Sequence, residues 1–439
     1  MRKLTKSAQI STPKSIFRGH NRCEHERNEV IDVRVLFRCV WWLLSLSCAV
    51  IFGVVGYMGQ MLPDRFAVTR GQEVQVGEWI QSRPASPRYD TVRTSVLEEK
   101  QYRTSLTLGG LIPVKEVTVT VTEETVVMVC GTPFGIKLYT KGVLVVGLSD
   151  VDTAVGKVNP AAAAGVCVGD TILAVNGQTV ETGDDVGTLI RDCGGKTVTL
   201  RLERDGVEFD AAFTPVKAAE EDSYRAGLWV RDSAAGIGTL TFYDPADGAF
   251  GGLGHGVCDV DTGERMSLSG GEIVPARIFG ITKGKAGTPG ALKGCFDTGS
   301  LGTLAKNADN GLYGRLTAYP FGWQTMAVAH RQQVREGAAQ IVCTVDGTRP
   351  KAYDAVIEKV RYGGTDSARN LVIRVTDPTL LEATGGIVQG MSGSPILQDG
   401  KLVGAVTHVL VDDPTRGYGI FAENMLATAE TVEEQKPAA

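Results

Sequence analysis

The chain has 439 residues, room for two or three domains. Its net charge of −5 with no basic stripe argues against nucleic acid as a partner. Glycine supplies 54 residues, about 12% against a usual level near 7%, as expected of turn-rich all-β domains.

Residues 1–38 form a basic tail, with nine Lys or Arg and four acidic residues. Residues 39–62 then carry no charge. As a helix this stretch reaches about 36 Å, enough for a hydrocarbon core of about 30 Å. Trp41 and Trp42 near one end and Tyr57 near the other suit the two interfaces. The basic flank places the N-terminus in the cytoplasm and the rest of the chain outside. A cleaved signal peptide is the competing reading. The apolar run is too long for one, and Gln60-Met61-Leu62-Pro63 offers no small-x-small cleavage site.

Residues 63–122 read as a polar linker, marked by Ser82-Arg83-Pro84-Ala85-Ser86-Pro87-Arg88, that ends in a strand with alternating Val117, Val119 and Val121. Residues 123–217 resemble a PDZ domain. The marks are Asn159-Pro160-Ala161-Ala162-Ala163-Ala164-Gly165 at a helix entry, and Val168-Gly169-Asp170-Thr171-Ile172-Leu173-Ala174-Val175-Asn176-Gly177-Gln178 as strand and Asn-Gly turn. On this reading Pro133, Phe134, Gly135 and Ile136 form the loop that holds a peptide carboxylate, and Val186 and Ile190 form the helical wall. A PDZ-shaped spacer without a ligand is the alternative. Phe134 and Ile136 would then be core.

Residues 218–430 carry the chemistry, and an acidic tail at 431–439 is expected to fray. Gly390-Met391-Ser392-Gly393-Ser394-Pro395 has the Gly-x-Ser-Gly-x-Pro form of a chymotrypsin-type nucleophile loop. Such a turn presents the Ser392 hydroxyl to a base, and the amides of Gly390 and Ser392 can form an oxyanion hole. The base is sought among five histidines. His255 lies in the glycine-packed Gly251-Gly252-Leu253-Gly254-His255-Gly256, His330 lacks such a setting, and His408 follows the nucleophile on the next strand. Asp377, closing the apolar run Leu371-Val372-Ile373, is the candidate acid, with Asp259 and Asp261 as competitors. His408 is also a candidate wall of the specificity pocket, favouring a polar or acidic side chain. No Cys-x-x-Cys pair occurs among nine cysteines. His255 and Cys258 lack a second pair to complete a metal site, so no metal or cofactor is expected.

Leu253-Gly254-His255-Gly256-Val257-Cys258-Asp259-Val260-Asp261-Thr262-Gly263, Thr376-Asp377-Pro378, Thr384–Pro395 and Asp412-Asp413-Pro414-Thr415-Arg416-Gly417-Tyr418-Gly419-Ile420-Phe421 together resemble the stage IV sporulation protein B family. These are membrane-anchored, PDZ-containing serine peptidases of endospore formers. The resemblance spans roughly residues 112–428. It implies a mainly β chain with a transmembrane helix, a PDZ domain and a chymotrypsin-like double β-barrel. It also implies His255 as base, Asp377 as orienting acid and Ser392 as nucleophile. Met391 stands where trypsin-like enzymes carry the aspartate that pairs with a freed N-terminus, so that activation route is not expected. The implied substrates are the chain itself and a membrane-bound inhibitor of an intramembrane protease, cut in the forespore intermembrane space to trigger pro-sigma-K processing. A non-catalytic PDZ adaptor and a general quality-control protease are the alternatives.

Overall fold

The computed structural model describes residues 33–77, 79–82, 100–318, 324–363 and 368–432. Most of the basic tail, the Pro-rich part of the linker and the end of the acidic tail lie outside them.

Helix α1 spans Val33–Met61. Its stretch Phe37–Met61 is long and apolar enough to cross a membrane, fitting a single-pass anchor.

The expected linker is instead a sheet. Strands Arg65–Thr69, Gln75–Val76, Ile80–Ser82, Lys100–Leu108 and Ile112–Thr122 pair into five strands. They bury Phe66, Val68, Leu106, Val117 and Val119 on one face. The polar residues that alternate with these along the described strands form the solvent-facing half of a two-sided sheet.

Two six-stranded rings follow. The first is built from β1 (Pro133–Leu148), β2 (Leu228–Tyr243), β3 (Ala249–Gly252), β4 (Leu268–Thr282), β5 (Gly302–Ala308) and β6 (Gly311–Leu316). They pair in the order β1-β4-β5-β6-β3-β2, and the pairing of β2 with β1 closes the ring. Phe134, Ile136, Leu138, Leu240, Phe250, Ile273 and Leu312 fill it. The second is a closed barrel of β7 (Gly337–Cys343), β8 (Lys351–Val360), β9 (Leu371–Val375), β10 (Pro395–Gln398), β11 (Lys401–Leu410) and β12 (Asp413–Phe421), ordered β7-β8-β9-β12-β11-β10. Its interior holds Ile341, Ile357, Leu371, Ile373, Ile396 and Val406. A further apolar layer, including Phe242, Tyr313, Leu402 and Ile420, joins residues of both rings. The chain is thus mainly β, with the double barrel of a chymotrypsin-like peptidase.

The PDZ domain sits between β1 and β2. Strands Thr171–Val175, Val198–Arg204 and Val207–Phe213 extend the sheet from the distal half of β1. Helix α2 (Gly183–Arg191) packs Val186 and Ile190 onto their core. Thr182 caps α2 in a reciprocal box with Asp185. The boundary expected at residue 218 therefore does not divide the two domains. The first barrel strand precedes the PDZ segment, and the second leaves from it.

Candidate active site and peptide groove

The nucleophile loop follows α3 (Pro378–Thr384) and leads into β10. Gly390 and Gly393, at φ +95° and +93°, bracket Ser392 in backbone that L side chains rarely adopt. The amides of Met391, Gly393 and Ser394 donate to the carbonyls of Val388, Val406 and Met391. The Gly390 and Ser392 amides take part in none of these bonds, which leaves the two expected oxyanion donors uncommitted to them. Ser392 is half-buried, and its hydroxyl donates to the Thr407 carbonyl at 2.8 Å. Ser394 is fully buried, its hydroxyl without a hydrogen-bond partner. It is core rather than nucleophile.

His255 arrives from the first barrel, after β3. Leu253 and Gly254 take φ +65° and +70°, which turns the chain into the cleft. A β-carbon on Gly254 would lie 2.9 Å from Thr407 Cγ2, so only glycine lets this loop seat against β11. The His255 ring packs on that of His408, centroids 4.7 Å apart and tilted by 33°. Ser392 and His255 therefore touch consecutive residues of one strand, Thr407 and His408. His255 Nδ1 lies 2.8 Å from the Gly256 carbonyl. That carbonyl can only accept, so Nδ1 carries the proton and Nε2 is left unprotonated, able to accept one. Burial lowers the imidazole pKa, with the Gly256 carbonyl opposing. His408 is exposed beside His255 rather than set in a buried pocket wall.

Asp377 is not brought to His255. Its carboxylate caps α3, accepting from the amides of Thr379 at 2.8 Å and Leu380 at 3.1 Å and from the Thr379 hydroxyl. The Thr379 hydroxyl and these amides hold the carboxyl below its ordinary pKa. His255 and Asp377 share no hydrogen bond or ion pair, so the expected acid–base pair is corrected to a helix cap and a backbone carbonyl. The sequence Asp377-Pro378 is the signal for this: an N-cap acid followed by proline at the first helical position. Asp259 and Asp261 are also committed. Both pair with Arg231 of β2, and Asp259, fully buried at its side chain, also accepts from the Asp261 and Thr262 amides.

Pro133, Phe134, Gly135 and Ile136 do not line a peptide groove. They form the start of β1, paired to β2 on one side and β4 on the other. The Phe134 ring packs edge-on against Phe250 inside the barrel, centroids 6.4 Å apart. Both edges of this segment are spent, so no strand can add to it. Val186 and Ile190 of α2 line one wall of a cavity of about 540 Å³. The other wall is Ala226-Gly227-Leu228-Trp229-Val230 at the start of β2. Gly227, at φ +77°, opens it, and Leu228–Val230 pairs only one edge with β1. A glycine followed by an apolar strand entry was the available signal.

Residues 222–426 match the family SpoIVB peptidase S55, and residues 151–204 match a PDZ domain. Two putative zinc metalloproteases are similar over short stretches. One from Bartonella henselae is 32% identical over 82 residues, 19% of this chain and 22% of that protein. One from Mesorhizobium japonicum is 38% identical over 65 residues, 15% and 18% of the two chains. This chain thus spans about a fifth of the length of these relatives. Among solved structures, the HtrA-type protease AlgW with a decapeptide matches at 12% identity and TM-score 0.27, covering 47% of this chain and 55% of that one. An inactive mutant form of Rv3671c from Mycobacterium tuberculosis H37Rv matches at 14% and 0.25, covering 46% and 84%. Over residues 222–426 the chain is thus similar to the SpoIVB peptidase S55 family, and over residues 151–204 to a PDZ domain.

Proposed function

We propose that the chain is a membrane-anchored serine endopeptidase in which Ser392 is the nucleophile and His255 the general base. The carrying observation is the convergence of two loops, one from each barrel, on Thr407 and His408, with two unspent amides beside Ser392. In the reaction the Ser392 hydroxyl leaves the Thr407 carbonyl and attacks the peptide carbonyl carbon. His255 Nε2 takes its proton, and the Gly390 and Ser392 amides receive the oxyanion. The same proton goes to the leaving amine, the C–N bond breaks, and water hydrolyses the acyl-enzyme. The Gly256 carbonyl fixes the productive tautomer.

The substrates on this reading are the chain itself and a membrane-bound regulator outside the cytoplasmic membrane during endospore formation. The basic tail keeps the N-terminus inside. Self-cleavage on this reading falls between residues 63 and 108. The groove between α2 and β2 takes a peptide strand, and exposed His408 meets the substrate side chain nearest the scissile bond.

Intact-mass analysis of residues 63–439 beside the Ser392→Ala form tests the assignment. Discrete shortening of the first alone supports it. Equal shortening of both removes Ser392 from the chemistry. No change in either, together with no covalent labelling by a fluorophosphonate, favours the non-catalytic adaptor.

A further inference from the structure

The nucleophile loop is held by more than its own hydrogen bonds and those to β11. Strand β2 of the opposite barrel holds it, through two buried threonines. Thr239 is 2% exposed and Thr241 fully buried. The Thr239 hydroxyl donates to the Gly390 carbonyl at 2.8 Å, and the Thr241 hydroxyl donates to the Gly393 carbonyl at 2.7 Å. The Thr239 amide donates to the Ser392 carbonyl at 3.0 Å. Its carbonyl accepts from the Leu253 amide, two residues before His255. All three polar groups of Thr239 are thus spent on the two catalytic loops.

We propose that Thr239 and Thr241 are positioning residues for the oxyanion hole, a role that rests on Ser392 being the nucleophile. The physical reason lies in the peptide planes. The Gly390 carbonyl belongs to the plane joining Gly390 to Met391, and its orientation fixes ψ of Gly390. With φ at +95° that angle sets where the Gly390 amide points relative to the Ser392 amide. Glycine has no side chain to resist rotation, so a fixed donor on the carbonyl must hold it. Thr241 does the same on the far side of Ser392. The two hydroxyls clamp the turn at both glycines without touching substrate, which keeps the Gly390 and Ser392 amides aimed at one spot. Loss of a clamp lets the hole relax in the resting enzyme and lowers the rate of acylation rather than substrate affinity.

The test compares Thr239→Ala with Thr239→Ser, and Thr241→Ala with Thr241→Ser, in the full-length chain. Each pair differs by one hydroxyl at nearly constant volume. A fluorophosphonate probe reports the rate of covalent labelling at Ser392, and a peptide spanning a self-cleavage site gives kcat and KM. The alanine forms are expected to lose about 30- to 300-fold in labelling rate and kcat with KM within about twofold. The serine forms should recover to within about threefold of wild type. Alanine forms labelled at the wild-type rate, or serine forms as slow as the alanine forms, overturn the positioning role. Wild-type protein that is labelled elsewhere or not at all overturns instead the nucleophile assignment beneath it.

Discussion

Replacing Asp377 separates a helix cap from a catalytic acid. In the structure its carboxylate accepts from two amides at the start of α3, from the Thr379 hydroxyl and from the Asp354 amide, and shares no hydrogen bond with His255. Asparagine caps a helix about as well as aspartate. Asp377→Asn should therefore cost well under about 1 kcal/mol and leave kcat/KM within about tenfold of wild type. Asp377→Ala removes the side-chain acceptor and should cost about 1 kcal/mol, within the usual ~0.5–2 kcal/mol for a lost cap. In a triad the outcome is opposite: the same Asp-to-Asn change lowers kcat by about 10⁴-fold while the fold stays intact, because the imidazole tautomer is wrong. Urea unfolding of both variants, paired with fluorophosphonate labelling at Ser392, reads the two quantities separately. A loss of about 10³-fold or more in Asp377→Asn with unchanged stability would refute the cap-only reading. It would mean that α3 shifts to deliver Asp377 to His255 in the working enzyme.

Three other outcomes follow from the same geometry. Burial holds the His255 pKa below its ordinary value of about 6.5, so the neutral base survives into mildly acidic solution. The acidic limb of kcat/KM should fall below pH 6.5, and a limb centred above 7 would contradict the burial argument. Gly393→Ala would place a β-carbon 2.0 Å from the Thr239 carbonyl oxygen at φ +93°. It should cost at least about 2 kcal/mol and abolish labelling, and a stable, active variant would show that the loop does not dock on β2 as described. Peptides with a free C-terminal carboxylate and an apolar last residue should change Trp229 fluorescence saturably. Ile190→Asp should remove that response, whereas Phe134→Ala should instead cost about 3 kcal/mol of stability; binding lost at constant stability in Phe134→Ala would restore the discarded loop.

What was legible in the sequence was local. The Ser392 loop can be read because its chemistry needs two glycines with positive φ a fixed distance either side of a serine, and six consecutive residues suffice to write that. His255 is legible for the same reason, since its glycines must let the turn seat on β11. The PDZ helix, with Val186 and Ile190 four apart, follows from helical periodicity. What failed depended on pairing. Pro133–Ile136 has the glycine and apolar residues of a carboxylate loop, and nothing within it says that β2 and β4 occupy both of its edges. The second groove wall lies over 30 residues beyond α2, where the chain leaves the PDZ segment. Asp377 is ambiguous in the sequence because a strand-end acid before proline fits a triad and a helix cap equally well by composition. Only the direction of its oxygens separates them.

One strand accounts for why these parts occur together. β2 begins at Leu228–Val230 as the open wall of the cavity beside α2. It passes Arg231, which pairs with Asp259 and Asp261 of the His255 loop, and ends at Thr239 and Thr241, which hold the Ser392 loop. Asp232, next to Arg231, accepts from the Gly183 amide at the first turn of α2, tying the helical wall to the same strand. The buried Asp259 carboxylate makes the Arg231 contact the costly one to break. Arg231→Met would leave it without its cation while keeping most of the stem's packing. Removing one partner from a fully buried pair costs about 3–5 kcal/mol, and the third of Arg231 open to solvent reduces this to about 2–3 kcal/mol here. If β2 only carries load, the loss should appear in urea unfolding with peptide binding and labelling intact in the folded fraction. If the strand also transmits, labelling should become insensitive to peptide in this variant while both sites still work separately. Wild-type labelling that is already indifferent to peptide would confine β2 to a structural part.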